Sequence, residues 1–222
     1  MKLTIFAATG GIGRQLLEQA IAGGHDVTAV VRQPQKLPSA QARVLAADLA
    51  AANPAVLQPA VDGADAVLSG LGARSRAEAG IAWRGTQAIT RAMQAAGVRR
   101  IVAVSAAPVG TVPSPARPAP PKHDPGDGLL MRNIVYPILK SALHEVYADL
   151  AQMEDVLRES DLDWTVVRPV RLTDKPLTGT YRTAYGQNVR HGLFISRADV
   201  AHYMLRVLHE PETFRQTIGI AN

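Results

Sequence analysis

The chain reads as an α/β protein of the Rossmann type: a doubly wound parallel sheet of order 3-2-1-4-5-6 with helices on both faces. Three observations predict this. Short apolar runs alternate with amphipathic helical stretches, the runs are apolar on both faces as parallel strands require, and a glycine-rich turn links the first run to the first helix. The runs span Leu3–Ala7, Val27–Val31, Arg43–Ala46, Ala66–Ser69, Ile101–Ser105 and Trp164–Pro169. A seventh strand is left open by the residues that follow.

The helices between them show the expected period. Ile12, Leu16, Leu17, Ala20 and Ile21 form one stripe, and Leu143, Val146, Leu150, Met153 and Leu157 another. Gly23-Gly24 stops the first helix, while Ser196 and Asp199 cap a late helix predicted to run through Leu208. The segment 108–128 carries seven of the fifteen prolines together with Gly126 and Gly128, so it is neither regular helix nor central strand. Leaving the fifth strand at its carboxyl end, it is either a loop that covers a substrate or a disordered insertion. The remainder contains no internal repeat, and 1–222 is expected to be one domain.

With 222 residues, the chain is long enough to bury a substantial core without disulfides or metals. Its 47% hydrophobic and 19% charged residues are ordinary for a globular protein, and no apolar run is long enough to cross a bilayer. The start, Met1 to Phe6, lacks the length and cleavage site of a signal peptide and reads as a strand. There is no cysteine, which excludes disulfides, thiolate metal sites and a cysteine nucleophile and fits a cytoplasmic location. The net charge of +5 comes from scattered basic residues, without the basic run or aromatic-interleaved stripe of a nucleic-acid binder. His25, His123, His191, His202 and His209 have no metal-ligand spacing and read as surface or loop residues, so no metal is expected. The expected partner is a small-molecule substrate, with no nucleic acid and no membrane, on a monomer or homodimer.

Ala7-Ala8-Thr9-Gly10-Gly11-Ile12-Gly13 leaves the first strand and opens the first helix, whose free N–H groups and dipole suit a pyrophosphate. Gly10 and Gly11 allow close backbone approach, Gly13 lets helix pack on strand, and Thr9 can hydrogen-bond within the turn. Cofactor choice turns on the end of the second strand, where an acidic residue would accept the ribose hydroxyls of NAD. None is present: Val30-Val31 is followed by Arg32 with Lys36 four residues on, and Asp26 lies at the strand's other end. A guanidinium there can clamp a 2′-phosphate, so the expected cofactor is NADP(H).

These residues resemble the NAD(P)H-binding branch of the atypical short-chain dehydrogenase/reductases, which includes biliverdin reductase B (flavin reductase) and nitrogen-metabolite-repressor-like sensors. The turn is similar to that branch's G-A-T-G-x-x-G, with Ala7 in place of the first glycine. Further similarity lies in Asp48-Leu49, in Leu68 to Gly72, in Val104-Ser105-Ala106, and most specifically in Leu157-Arg158-Glu159-Ser160 with Trp164 to Pro169. The resemblance implies that Asp48 and Leu49 flank the adenine. It implies that Ser69, Gly70, Leu71 and Gly72 line the ribose and nicotinamide side, and that Pro169, Val170 and Arg171 pass near the nicotinamide.

Carbonyl-reducing members of the wider family use a Tyr-x-x-x-Lys pair, in which the lysine lowers the phenol's pKa. Here Tyr147 falls in the tyrosine slot but Ala151 in the lysine slot. Tyr136 and Lys140 have the spacing, yet Pro137 marks a helix start and puts them too early. His144, Tyr147, Ala151 and Glu154 form a line along one helix face that could point into the crevice, with Ser105 at the end of the fifth strand to orient the carboxamide or a substrate carbonyl. Ser105, Tyr147 and Glu154 are thus the catalytic candidates. Lacking a strong proton donor, the chain is read as an NADPH-dependent reductase of a planar conjugated, carbonyl or flavin-like acceptor, whose proton solvent can supply. Two alternatives stay open: a non-catalytic NADP(H)-binding redox sensor, and an epimerase or dehydratase using a transient hydride.

Overall fold

The computed structural model describes residues 1–37, 42–51, 53–73 and 75–222. In chain order the strands are β1 (Lys2–Phe6), β2 (Asp26–Val31), β3 (Arg43–Ala46), β4 (Ala66–Ser69), β5 (Arg100–Val104), β6 (Asp163–Pro169), β7 (Arg171–Thr173), β8 (Arg182–Tyr185), β9 (Phe194–Ser196) and β10 (Gln216–Ala221). The helices are α1 (Gly11–Ala22), α2 (Pro54–Val61), α3 (Ile81–Ala96), α4 (Tyr136–Ala142), α5 (His144–Glu159) and α6 (Arg197–Arg206).

The main sheet has the order β3-β2-β1-β4-β5-β6-β10-β8. Its first six strands are parallel and arranged as the alternating pattern predicts. The strand left open is β10, parallel to β6, and β8 adds an antiparallel edge beyond it. Strands β7 and β9 form a separate parallel pair, with Arg171 opposite Phe194 and Thr173 opposite Ser196. One face of the sheet is covered by α1 and α6, which bring Leu16, Ala20, Val200 and Met204 together with Ile5, Val167 and Ile220. The other face carries α2, α3 and α5, packing Leu57, Ile89, Met93, Met153 and Leu157 on Phe6, Val67 and Val166. Burial of such side chains contributes about 1.5–3 kcal/mol each, so the double-sided core is the main source of stability.

Helix ends follow local chemistry. Gly23 donates back to Gln19 O (2.9 Å) and Gly24 takes φ +73°, ending α1 where the glycine pair predicts. Ser196 Oγ accepts from the amide of Asp199 (2.9 Å) and starts α6, which ends at Arg206 and tightens into a turn over Val207–His209. In α5, Leu150, Met153 and Leu157 are buried and Val146 is half-buried, whereas Leu143, just before the helix, is 37% exposed. The stripe therefore reaches the core only from its second turn onward.

The proline-rich segment is pinned rather than disordered. Pro108 belongs to a tight turn over Ala107–Thr111, Ala116 N donates to Asp155 Oδ2 (3.0 Å), and Asp124 Oδ1 accepts from Gly126 N (2.9 Å) and Asn188 N (2.8 Å). Gly126 lies so close to Asn188 O that a Cβ there would fall 1.8 Å from it. After this segment comes a wide π-helical turn, Met131–Val135, that runs directly into α4. His202 departs from the surface-or-loop expectation: it lies within α6, half-buried, its Nδ1 2.7 Å from the Tyr181 hydroxyl.

Candidate functional site

The carboxyl ends of β1, β4, β5 and β6 open on one crevice, as parallel α/β sheets require of their binding sites. At its floor, Gly10 N donates to Ala7 O (2.8 Å) and Arg14 N to Gly10 O (2.8 Å), so the helical ladder of α1 begins only at Arg14. Gly10, at the N-cap of this helix, has no side chain to cap it. The amides of Gly11, Ile12 and Gly13 thus belong to the first turn, where intrahelical acceptors are lacking. A Cβ on Gly13 would lie 2.1 Å from Ala7 O, and one on Gly70 would lie 3.0 Å from Gly13 N. Gly13 and Gly70 accordingly let the β1 and β4 turns pack together and form the cradle from behind. Ala7 takes φ +56°, a left-handed conformation that favours glycine, at the position where the resembling motif has one.

A groove beside this turn brings together Thr9, Arg32, Lys36, Asp48, Leu49, Leu71 and Gly72. Arg32 follows the last residue of β2, is half-exposed, and has Glu78 Oε1 3.6 Å from its Nη2. Glu78 also lines the groove, a carboxylate that sequence reading did not anticipate. Asp48 Oδ1 accepts from Ala50 N (3.0 Å), so this side chain starts the turn over Leu49–Ala51. Ser69 is buried, with its hydroxyl 3.4 Å from Leu71 N, and shapes the turn after β4.

Beyond the ends of β5 and β6 lies a cavity of about 850 Å³, lined by Ser105, Tyr147, Pro169, Val170 and Arg171 together with Tyr136, Met131, Leu139, Phe194 and Arg197. Its walls are mostly apolar, as small-molecule sites are. The expectation that Glu154 points into the crevice with Tyr147 is corrected. Glu154 is fully buried behind Ser105, where it accepts from the Ser105 hydroxyl (2.8 Å), from Arg168 Nε (2.8 Å) and Nη2 (2.5 Å), and from Arg158. Burial would raise its pKa, but Arg168 first, then Arg158 and Ser105, outweigh this and hold the carboxyl below its ordinary value. Glu154 is a positioning residue that anchors Ser105. Because the one Ser105 proton is donated to Glu154, the hydroxyl presents acceptor lone pairs elsewhere.

Neither cavity tyrosine is an acidic phenol. Burial pushes both Tyr136 and Tyr147 above the ordinary tyrosine value, and in Tyr136 Asp127 and Asp124 add to the shift. Ala151, in the lysine slot, is completely buried in the core. Lys140 Nζ donates to Thr111 Oγ1 (3.0 Å). Tyr136 begins α4 as Pro137 predicts, but it lines the cavity nonetheless, together with Leu139 of the same helix.

Arg197 was missed by sequence reading. It is the first residue of α6 and reaches α1 because the two helices share one face of the sheet. Its only local signal is the position after the Ser196 cap.

The residues present fit a dinucleotide: a helix start with glycine at its N-cap, a polar groove beside it and an apolar cavity beyond. Comparison with known proteins agrees. An UPF0659 protein of Schizosaccharomyces pombe is 30% identical over 216 residues, covering 91% of this chain and 83% of its own length. The short-chain dehydrogenase/reductase of Veillonella parvula, solved in complex with NADP, superposes with a TM-score of 0.76 at 22% identity, over 100% of this chain and 94% of that one. ChuY of Escherichia coli O157:H7, an anaerobillin reductase, gives 0.75 at 22% identity over 100% and 97%. Both likenesses concern the fold. Among the described residues, no helix is long and apolar enough to cross a membrane. The NAD(P)H-binding family model matches residues 7–211, and the chain belongs to that family.

Proposed function

We propose that this protein is an NADPH-dependent reductase of planar, conjugated or flavin-like acceptors. The observation that carries the reading is the apolar cavity beside Ser105, whose two phenols have raised pKa values and where the lysine slot is filled by a buried alanine. When bound, the nicotinamide supplies a hydride. An acceptor suited to this cavity needs little proton assistance, because electron-poor conjugated systems take hydride readily and solvent completes the reduction. The protein contributes binding and orientation.

Each group has a stated task. The amides of Gly11, Ile12 and Gly13 hold the diphosphate, and Arg32 with Lys36 meets the 2′-phosphate. Asp48, Leu49, Leu71 and Gly72 border the adenosine, while Pro169 and Val170 shape the nicotinamide end. Ser105, fixed by Glu154, accepts a hydrogen bond from the carboxamide NH₂ rather than donating to a substrate carbonyl. Tyr147 and Tyr136 offer phenol protons as hydrogen-bond donors to the acceptor and exclude water. ChuY, an anaerobillin reductase on the same fold, is in keeping with this reading.

The test is loss of NADPH near-ultraviolet absorbance with FMN, quinones and enones, run beside NADH. Turnover with at least one of these acceptors and preference for NADPH are expected. Tight NADPH binding with no turnover across the panel would overturn the reductase reading in favour of a redox sensor.

A further inference from the structure

Gly11 and Arg197 are linked in a way that the glycine motif alone does not explain. A Cβ built on Gly11 would fall 2.6 Å from Arg197 Nε and 2.7 Å from its Cδ, so the missing side chain at 11 is the space that the arginine occupies. Gly13, by contrast, is crowded by backbone. Arg197 lines a cleft of about 410 Å³ over the start of α1, with Gly10, Gly11, Arg14 and Lys175, and it also lines the apolar cavity. Among the described residues, it is the side chain shared by both spaces.

Within the cleft the charges are held loosely. Arg197 Nη1 bonds Asp174 Oδ1 (2.6 Å), but the Asp174 side chain is 88% exposed. Arg14 pairs likewise with half-exposed Glu18 (2.8 Å). Exposed ion pairs contribute little, so an arriving anion can displace either carboxylate. A guanidinium suits a diphosphate because its fork donates two parallel hydrogen bonds.

We infer that Arg197 is a cofactor-clamping residue: it leaves Asp174 to engage the diphosphate from the α6 side, opposite the amides of α1. This rests on the dinucleotide occupying the turn as proposed above. Asp174 then acts as the competing anion that holds Arg197 in the absence of cofactor.

The experiment is a fluorescence titration of the full chain, its R197M, R197K and D174N variants with NADPH and with adenosine 2′-monophosphate, which lacks the diphosphate. R197M, which keeps the stem beside Gly11, is expected to weaken NADPH binding about tenfold, on the order of one charge-assisted hydrogen-bonding group. R197K should lose less, and D174N should bind more tightly than wild type. Adenosine 2′-monophosphate should bind wild type and R197M alike, since it probes the Arg32 end. Equal NADPH affinity in wild type and R197M, or parallel loss of both ligands, would overturn the clamp. Failure of wild type to bind either ligand would instead overturn the cofactor placement on which it rests.

Discussion

The Ser105 hydroxyl donates to the Glu154 carboxylate across 2.8 Å, and Arg168 closes on the same carboxylate from β6. The serine at the end of β5 is thereby oriented by a buried ion pair, its proton turned inward. S105A should retain the fold and lower kcat/KM for an accepted substrate about tenfold, the scale of one lost hydrogen bond. The shape of its pH–rate profile should match wild type, because the hydroxyl is not the proton source. Steady-state kinetics across pH checks both parts.

Glu154 also makes stability depend on acid. Its folded pKa lies below the ordinary 4.5, so its contribution is fully present above that value and is lost as pH falls through the folded pKa. E154Q leaves Arg168 buried without its counter-charge and should cost ~3–5 kcal/mol at neutral pH. Denaturant titrations from pH 7 downward should show the gap between wild type and E154Q shrinking below about pH 4.5.

Cofactor preference should follow Arg32 and its neighbour. R32D is expected to reduce the ratio of NADPH to NADH affinity roughly ten- to hundredfold. Glu78, 3.6 Å from Arg32 and lining the same groove, opposes a phosphate there. E78Q should tighten NADPH binding by about two- to fivefold, a small effect because the pair is solvated, and leave NADH nearly unchanged. Calorimetry with both nucleotides measures each ratio.

The first turn is strained at one residue and crowded at another. Ala7 at φ +56° costs about 1–2 kcal/mol in steric strain that glycine avoids, and the entropy of glycine takes back ~0.5–1 kcal/mol, so A7G should raise stability by ~0.5–1 kcal/mol. G13A would drive a methyl into Ala7 O and should destabilise by at least ~1–3 kcal/mol. Thermal melts expected to move in opposite directions make the pair a sensitive check.

Much of the sheet was legible because β1, β2 and β4 to β6 are apolar on both faces, a pattern that helices and half-exposed strands do not share. The glycine turn was legible for the same reason: it follows such a run immediately. Strands β7 and β9 have only three residues each and pair outside the main sheet, so neither length nor alternation marks them. Glu154 was misplaced because Tyr147 and Glu154 share a helical face by spacing, yet α5 slides from the cavity to the core between them. The usable signal was Arg168, a cation inside an apolar strand, which demands a buried acid. Arg197 was illegible for a different reason: it reaches the crevice from an element far away in sequence, joined to it only by the folded topology, while Glu78 follows Gly72 by six residues in a stretch without a motif.

The π-helical turn at Met131–Val135 gives the cavity wall an unusual latitude. Deleting one residue there would restore ordinary helical winding and rotate Leu130 and Met131 by about 100° relative to α4, while Ser105 and the glycine turn stay where they are. Acceptor choice in descendants of this chain is therefore open to change by insertion and deletion as well as by substitution, on a scaffold whose cofactor side need not move.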